Sequence, residues 1–420
     1  SSHIDQGAAL SRPEFRIHPR IALGTPAMRK FAPYALGMVM AQAALAQRAL
    51  LSWDEAHRQA AAMLTRMTPE EKHSLMQGVG WDQWQQRKWW YVGNTRAIPR
   101  LGIPSLNFQD ASGGFRTSWH CLIGTVTSWP SLLSLAATWS PASVEAAAVA
   151  IGKEFRSKGA NAILGPSVNV HRVARGGRNF EYLSGEDPYL GSRLAAAYVK
   201  GVQSEGVISV MKHWVFNQQE EHRGTEDSIV DEKTARELYY PPFEASIDAG
   251  VAAAMCAYNK VNGEHACSSK RLFELLKGEL GFRGFVQSDW WATHSLSLEH
   301  GLDQEMPGEH QTIEHFSPAA LGAQLPGVVD AAVARVLASM YRVGLVGSDA
   351  PLCTPPDCRP MLERNATSAA HAALSRSLAA ESVVLLKNDG GVLPLSAASA
   401  RTIAVIGDAS VAQPYDPDGL

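Results

Sequence analysis

From about residue 55 the chain alternates between two textures. Short apolar runs of strand length come first: IPSLNFQD, ANAILGPSVNV, GVISVMKHW, GVAAAMCAYN and GFRGFVQSD. Between them lie SPASVEAAAVAIGKEFRSKG, SRLAAAYVKGVQSEG, EKTARELYYPPFEASIDAG and SKRLFELLKGELG, which read as helices. Strand followed by helix, repeated, predicts an α/β fold with a parallel sheet and helices outside it. Over about 280 residues the natural closed form is a (β/α)8, TIM-like barrel or a degenerate version of one. Two helices precede the first run, SWDEAHRQAAAMLTRM and TPEEKHSLMQG. In the second, Thr68 can cap and Pro69 sits at the first helical position. The barrel is expected over 47–345.

Each apolar run ends in polar groups: Asp110, the stretch Asn169-Val170-His171-Arg172, Lys212-His213, Tyr258-Asn259 and Asp289. In a parallel barrel these ends face the same way, and active sites are built on that rim. Any one of them alone is more simply a loop cap or a rim ion pair. Five together point to one shared pocket.

Near residue 346 the texture changes. VGSDAPLCTPPDCRPMLERNATS is rich in Pro, Ser and Asp and predicts a linker over 346–370. HAALSRSLAAESVVLLKNDGGVLPL and RTIAVIGDAS then predict a helix, a strand, a Gly-Gly turn and another buried strand. Residues 371–420 thus read as the beginning of an incomplete second α/β domain.

Composition narrows the class. The chain has 420 residues, 45% hydrophobic and 19% charged, with a formal net charge of −3. That suits a large globular domain with part or whole of another. It supplies no general field for nucleic acid or for an anionic membrane. Residues 1–46 carry an upstream segment and, from Met28, MRKFAPYALGMVMAQAALAQ. A basic pair, an apolar stretch and Ala44-Leu45-Ala46 make a secretory signal pattern over 28–46, with cleavage expected after Ala46. The plainer alternative is a short alanine-rich amphipathic helix. Export suits the five cysteines. Cys256 and Cys267 flank one turn and Cys353 and Cys358 another, so each pair can close a short loop and leave Cys121 alone; free buried thiols are the other reading. Asn365-Ala366-Thr367 matches a glycosylation acceptor for a secreted chain. No CxxC or HExxH occurs, so neither a metal nor another cofactor is expected.

The chemistry points to sugars. An ionised Asp289 near an anomeric carbon can act as a nucleophile through a covalent glycosyl intermediate. Trp290 and Trp291 offer flat faces for a pyranose. The plainer reading has Asp289 capping a helix, WATHSLSLEHG, and the two roles can coexist. Lys212 and His213 suit hydroxyl groups; alternatively they form a rim salt bridge and a satisfied core histidine. Asp110 can accept from two adjacent hydroxyls, or form an Asx turn ahead of Gly113-Gly114. In HRVARGGRNFEYLSGEDPYL, Arg172, Arg175 and Arg178 crowd with Glu181, Glu186 and Asp187, and an arginine fork can hold a hydroxyl and fix a carboxylate.

Six stretches in order, FQDASGGFR, GPSVNVHRVARGGRNFEYLSGEDPYL, VMKHWVFNQQEEHR, AAMCAYNKVNGEHAC, ELGFRGFVQSDWWATHS and GLDQEMPG, resemble glycoside hydrolase family 3, most of all its secreted β-glucosidases. SVVLLKNDGGVLPL also fits the opening of that family's second domain. The resemblance implies a barrel followed by an α/β sandwich and a retaining mechanism. It implies Asp289 as nucleophile. It implies Asp110, Arg178, Lys212, His213 and Tyr258 as groups that bind the glycone, Met255 as a pocket wall and Trp290 beside the sugar. It also implies a Cys256–Cys267 disulfide.

Two departures stand out. Ala111-Ser112 replaces the family's Gly-Pro after the first aspartate. The family's acid/base glutamate lies deep in the sandwich domain, and no residue of this sequence is assigned to that role, although a retaining site needs a proton donor about 5–5.5 Å from the nucleophile. Glu220, Glu221 and Glu226 are acidic and near the rim, but no spacing argument selects one. The expectation is hydrolysis of terminal non-reducing β-D-glucosyl residues from β-glucosides or cello-oligosaccharides, outside the cell and without nucleic-acid or membrane partners. The alternatives are a sugar-binding protein with little turnover and, within the family, a β-xylosidase or broad β-glycosidase.

Overall fold

The computed structural model describes residues 49–83, 86–308, 314–347 and 352–407. The expected signal peptide lies outside them. Six strands form one sheet: β1 (Gly93–Asn94), β2 (Asn107–Gln109), β3 (Ala162–Ile163), β4 (Ile208–Trp214), β5 (Ala253–Cys256) and β6 (Phe285–Ser288). They lie side by side in chain order. Neighbours from β2 to β6 pair in parallel, whereas β1 runs antiparallel to β2. Every residue of the strands is buried, which explains why the runs read as continuous apolar segments rather than alternating ones.

The two edges of this sheet are joined. Val79 bridges Asn94 of β1, Gln77 bridges Glu305 in parallel, and Gln304 bridges Gln287 of β6. The Gly78 amide donates to the Glu305 carbonyl at 2.8 Å, and the Glu305 amide to the Met76 carbonyl at 2.9 Å.

Helices surround the sheet: α1 (Trp53–Leu64), α2 (Pro69–Met76), α3 (Pro141–Ser157), α4 (Pro188–Ser204), α5 (Pro241–Asp248), α6 (Lys270–Glu274) and α7 (Pro326–Arg342). Their starts are written in the sequence. Thr68 and Glu71 form the capping box of α2, Ser140 caps α3, and Asp187 caps α4, each ahead of a proline in the first turn. Helices α3 and α4 pack so closely that a Cβ on Gly201 would come within 2.7 Å of the Ala148 Cβ.

Part of the stretch expected as a linker is packed. Cys358 and Leu362 are buried in a second apolar cluster with Tyr91, Phe155 and Tyr198. Lys158 Nζ donates to the Leu362 carbonyl at 2.7 Å. Proline and cysteine there fold a tight staple, which composition alone does not distinguish from a flexible tether. Helix α8 (Ala369–Glu381) docks the same way. His371 Nδ1 lies 2.7 Å from the buried Glu154 carboxylate, and Ser375 donates to the Ser128 carbonyl at 2.7 Å. The compact unit reaches Leu386, and residues from Lys387 group separately.

The two strands expected in this last part differ from expectation. Residues 383–386 and 402–406 form no strand, and Val383 to Leu386, Ile403, Val405 and Ile406 are exposed. A strand exists by pairing, and the described residues beyond Leu386 include no partner strand for either run. The expected helix after Asp289 is also absent: residues 289–301 are turns and bends. Both cysteine pairs are disulfides, Cys256–Cys267 and Cys353–Cys358, and Cys121 is free and exposed.

Candidate active site

Asp289 follows β6 directly and is 7% exposed. Its amide donates to the Cys256 carbonyl at the end of β5, 3.2 Å away, so two neighbouring strand ends fix its backbone. Oδ1 accepts the Tyr258 hydroxyl at 2.8 Å and the Trp290 amide at 2.7 Å. Oδ2 is buried and has no hydrogen-bond partner. Burial pushes the Asp289 carboxyl above its ordinary value, against the opposing pull of Arg178, Arg223, the Tyr258 hydroxyl and Lys212.

His213 lies within β4, 1% exposed. Its Nε2 is 3.4 Å from Asp289 Oδ2, and its Nδ1 is 2.6 Å from the Tyr182 hydroxyl. Burial, reinforced by Arg178, Lys212 and Arg223, holds the imidazole far below its usual pKa, so it is neutral. Burial likewise raises the Tyr182 hydroxyl, which stays protonated. With a carboxylate facing Nε2, the consistent arrangement has Tyr182 donating to Nδ1 and the ring proton on Nε2. The Asn169 side chain clamps the His213 backbone from both sides, at 2.7 and 3.1 Å. His213 is thus buried and hydrogen-bonded, as the core-histidine reading has it. Lys212, 3% exposed, precedes it on β4.

Arg178 pairs with Glu181, and its Nη1 lies 3.5 Å from Glu220. Burial opposes its charge, but Tyr182, Glu181, Glu220 and Asp289 outweigh that and raise it. Arg223 stacks 4.0 Å over the Tyr258 ring and pairs with Glu220 at 2.6 Å. Sequence reasoning missed Arg223, Tyr182 and the role of Glu220. The quoted stretch VFNQQEEHR contained two of them, but nothing in its spacing separates a bridging carboxylate from its acidic neighbours.

The other candidates are placed differently. Asp110 follows β2, so it shares the strand end with Asp289, and its side chain pairs with Arg116 at 3.5 Å. Its charge also reaches Arg87, a guanidinium that burial lowers to about 10. Met255, 2% exposed, sits within β5 opposite Gln287. Trp290 is 7% exposed, and its Nε1 donates to the Val92 carbonyl at 3.1 Å. A Cβ on Gly93 would come within 2.8 Å of the Trp290 ring, so glycine there admits the indole. Trp290 is thus a buried wall rather than an open face. Trp291 meets Trp81 edge to face at 5.2 Å. Among the described residues no cluster of three His, Cys, Asp or Glu side chains could hold a metal ion.

At the ends of these parallel strands lies a buried carboxylate with one hydrogen-bonded oxygen and one that His213 approaches at 3.4 Å, ringed by three cations, a neutral imidazole and a tyrosine. Residues 73–312 match the glycosyl hydrolase family 3 N-terminal domain. The chain belongs to glycosyl hydrolase family 3. It is 42% identical over 353 residues to a β-glucosidase of Rhizobium radiobacter, covering 82% of this chain and 40% of that protein. It is 37% identical over 390 residues to a probable β-glucosidase L of Emericella nidulans, covering 90% of this chain and 51% of that one. The crystal structure of a β-D-glucoside glucohydrolase from Trichoderma reesei superposes with a TM-score of 0.74 at 33% identity, over 82% of this chain and 47% of that one. The chain thus spans about half the length of these relatives or less.

Proposed function

We propose that the chain carries the nucleophile-bearing part of a retaining β-glucosidase that acts on terminal β-D-glucosyl residues of β-glucosides or cello-oligosaccharides. The observation that carries this reading is Asp289, whose Oδ1 is held by Tyr258 and Trp290 while Oδ2 accepts no hydrogen bond and has only the His213 Nε2 near it, at 3.4 Å. In the proposed mechanism Oδ2 attacks the anomeric carbon as the aglycone oxygen leaves, forming a glycosyl ester that water later cleaves. The neutral His213, Lys212, Arg178 and Asp110 supply donors and acceptors for glycone hydroxyls, with Met255 and Trp290 as apolar walls. The six strands together with 77–79 and 304–305 are read as a TIM-like barrel derived from (β/α)8, with one stave reversed. The general acid is assigned to no residue of this chain. The two disulfides support an extracellular location, and among the described residues no helix is long and apolar enough to cross a membrane.

A 2-fluoro aryl glucoside with a good leaving group tests this directly, because ester formation then needs no proton donor. An adduct on the wild-type chain that is absent from Asp289→Asn supports the nucleophile, and an adduct that persists in the variant refutes it. Turnover of cellobiose separates a hydrolase from a sugar-binding protein, which would show at most a burst of phenol from an aryl glucoside.

A further inference from the structure

Two arginines flank the Asp289–Tyr258 pair, and like charges so placed repel each other. Glu220 lies between them. Its Oε2 is 2.6 Å from Arg223 and its Oε1 3.5 Å from Arg178. The Asn217 amide donates to Oε1 at 3.2 Å and steadies the carboxylate. The loop carrying Arg178 is shaped to admit Glu220. Gly177 has φ +90°, and a Cβ there would come within 3.1 Å of the Glu220 Cβ. A Cβ on Gly176 would come within 3.1 Å of the Gln218 carbonyl. The pair of glycines in ARGGR thus lets two loops close on each other, and what they close around is this carboxylate.

We propose that Glu220 is a positioning residue for the glycosyl-transfer site: one carboxylate, shared between Arg178 and Arg223, fixes both guanidiniums beside Asp289 and holds the Tyr258 ring under Arg223. Glu220 itself touches no reacting atom. It acts through Arg223, stacked 4.0 Å over the Tyr258 ring, and through Tyr258, whose hydroxyl donates to the nucleophile. The inference rests on the β-glucosidase reading for its chemistry.

The charged and titratable groups around Asp289 come from four segments: Arg178 and Tyr182, Lys212 and His213, Arg223, and Tyr258. Glu226 also faces Glu220. This arrangement gives two opposed expectations. As a bare negative charge, Glu220 would raise the Asp289 pKa, so its removal would lower it. As a positioning residue it holds two cations where they lower that pKa, so its removal raises it. A nearby opposite charge lowers a carboxyl pKa, so release of the arginines moves the Asp289 titration upward.

The variants are Glu220→Gln, which keeps the shape and loses the charge, and Glu220→Asp, which keeps the charge and withdraws it from the arginines. Folding is checked by thermal melts. The readout is the rate of trapping by the 2-fluoro aryl glucoside from pH 4 to 8. Both variants are expected to trap about 10- to 100-fold more slowly at neutral pH, with the acid limb displaced to higher pH. Unchanged rates, an acid limb displaced to lower pH in Glu220→Gln, or wild-type behaviour in Glu220→Asp would each overturn the proposal. A wild-type chain that forms no adduct defeats the β-glucosidase reading instead. Glu220 is then judged by NMR titration of carboxyl-labelled aspartate, with Asp289 assigned by difference against Asp289→Asn. An upward move of Asp289 in Glu220→Gln sustains the inference, and no move or a downward one ends it.

Discussion

Tyr258 donates its hydroxyl to Oδ1 of Asp289 across 2.8 Å, which aims the carboxylate and leaves Oδ2 without a hydrogen bond. The donor reaches the acceptor because Tyr258 lies two residues beyond β5 and Asp289 directly beyond β6, and these strands pair in parallel register, Ser288 with Cys256. A hydrogen bond to a charged group is worth about 1.5–3 kcal/mol. Tyr258→Phe is therefore expected to slow trapping by the 2-fluoro aryl glucoside by about 10- to 100-fold, with the fold intact by circular dichroism. A rate equal to wild type would show that the hydroxyl does not aim the nucleophile.

The pH dependence of trapping follows from Asp289. The attacking carboxylate must be ionised, and burial raises its pKa above the ordinary 3.8. The acid limb of the trapping rate is therefore expected above pH 3.8, and it should move further up in Arg223→Ala, which removes a cation. Rate measurements across the acid range check both, and a limb at or below the ordinary aspartate value would contradict the burial argument.

Glu226 gives a stability test away from the reacting atoms. Burial, with the charge of Glu220 nearby, raises its carboxyl from 4.5 to about 7. A raised folded-state pKa contributes stability that is complete below the unfolded value of 4.5 and is lost as pH rises through about 7. Glu226→Gln, which cannot ionise, is expected to melt at a temperature that falls less than wild type between pH 5 and pH 8. Parallel melting curves for the two proteins across that range would count against it.

The Cys256–Cys267 disulfide clips the segment between β5 and the start of α6, and the Cys256 carbonyl receives the Asp289 amide at 3.2 Å. Replacing both cysteines by alanine is expected to cost about 2–4 kcal/mol, read as a lowered midpoint in denaturant. Because the same strand end anchors the nucleophile, trapping should slow as well. A stability loss with an unchanged trapping rate would separate the clip from the site.

Much of this arrangement was legible in the residues. Strands buried on both faces write unbroken apolar runs, and a run that must emerge at a rim ends in polar groups, so Asp110, Lys212-His213, Tyr258 and Asp289 stood out at their strand ends. Thr68 and Pro69 announced α2 because capping is local. What was not legible depends on contacts between distant loops. Arg223 stacks on Tyr258 from a segment with no periodicity, and Tyr182 meets His213 across 31 residues. The reversed direction of β1 leaves no mark in a two-residue strand. The packed stretch around Cys353 and Cys358 has a linker's composition and is held by a tight disulfide and by Lys158. The segment after Asp289 has a cap residue but no helix to cap, because its indoles are anchored to Val92 and Trp81.

The junction between the two edges of the sheet consists of single-residue bridges at Gln77, Val79 and Gln304, whereas β4 pairs along much of its length with β5. Such a seam has little cooperativity of its own, so it is where the structure breathes first. In deuterium exchange, the amides of Gly78 and Glu305 should therefore give up their protons well before those of Val210 and Met211, and the site's backbone will be solvent-tested from that side long before the whole domain melts.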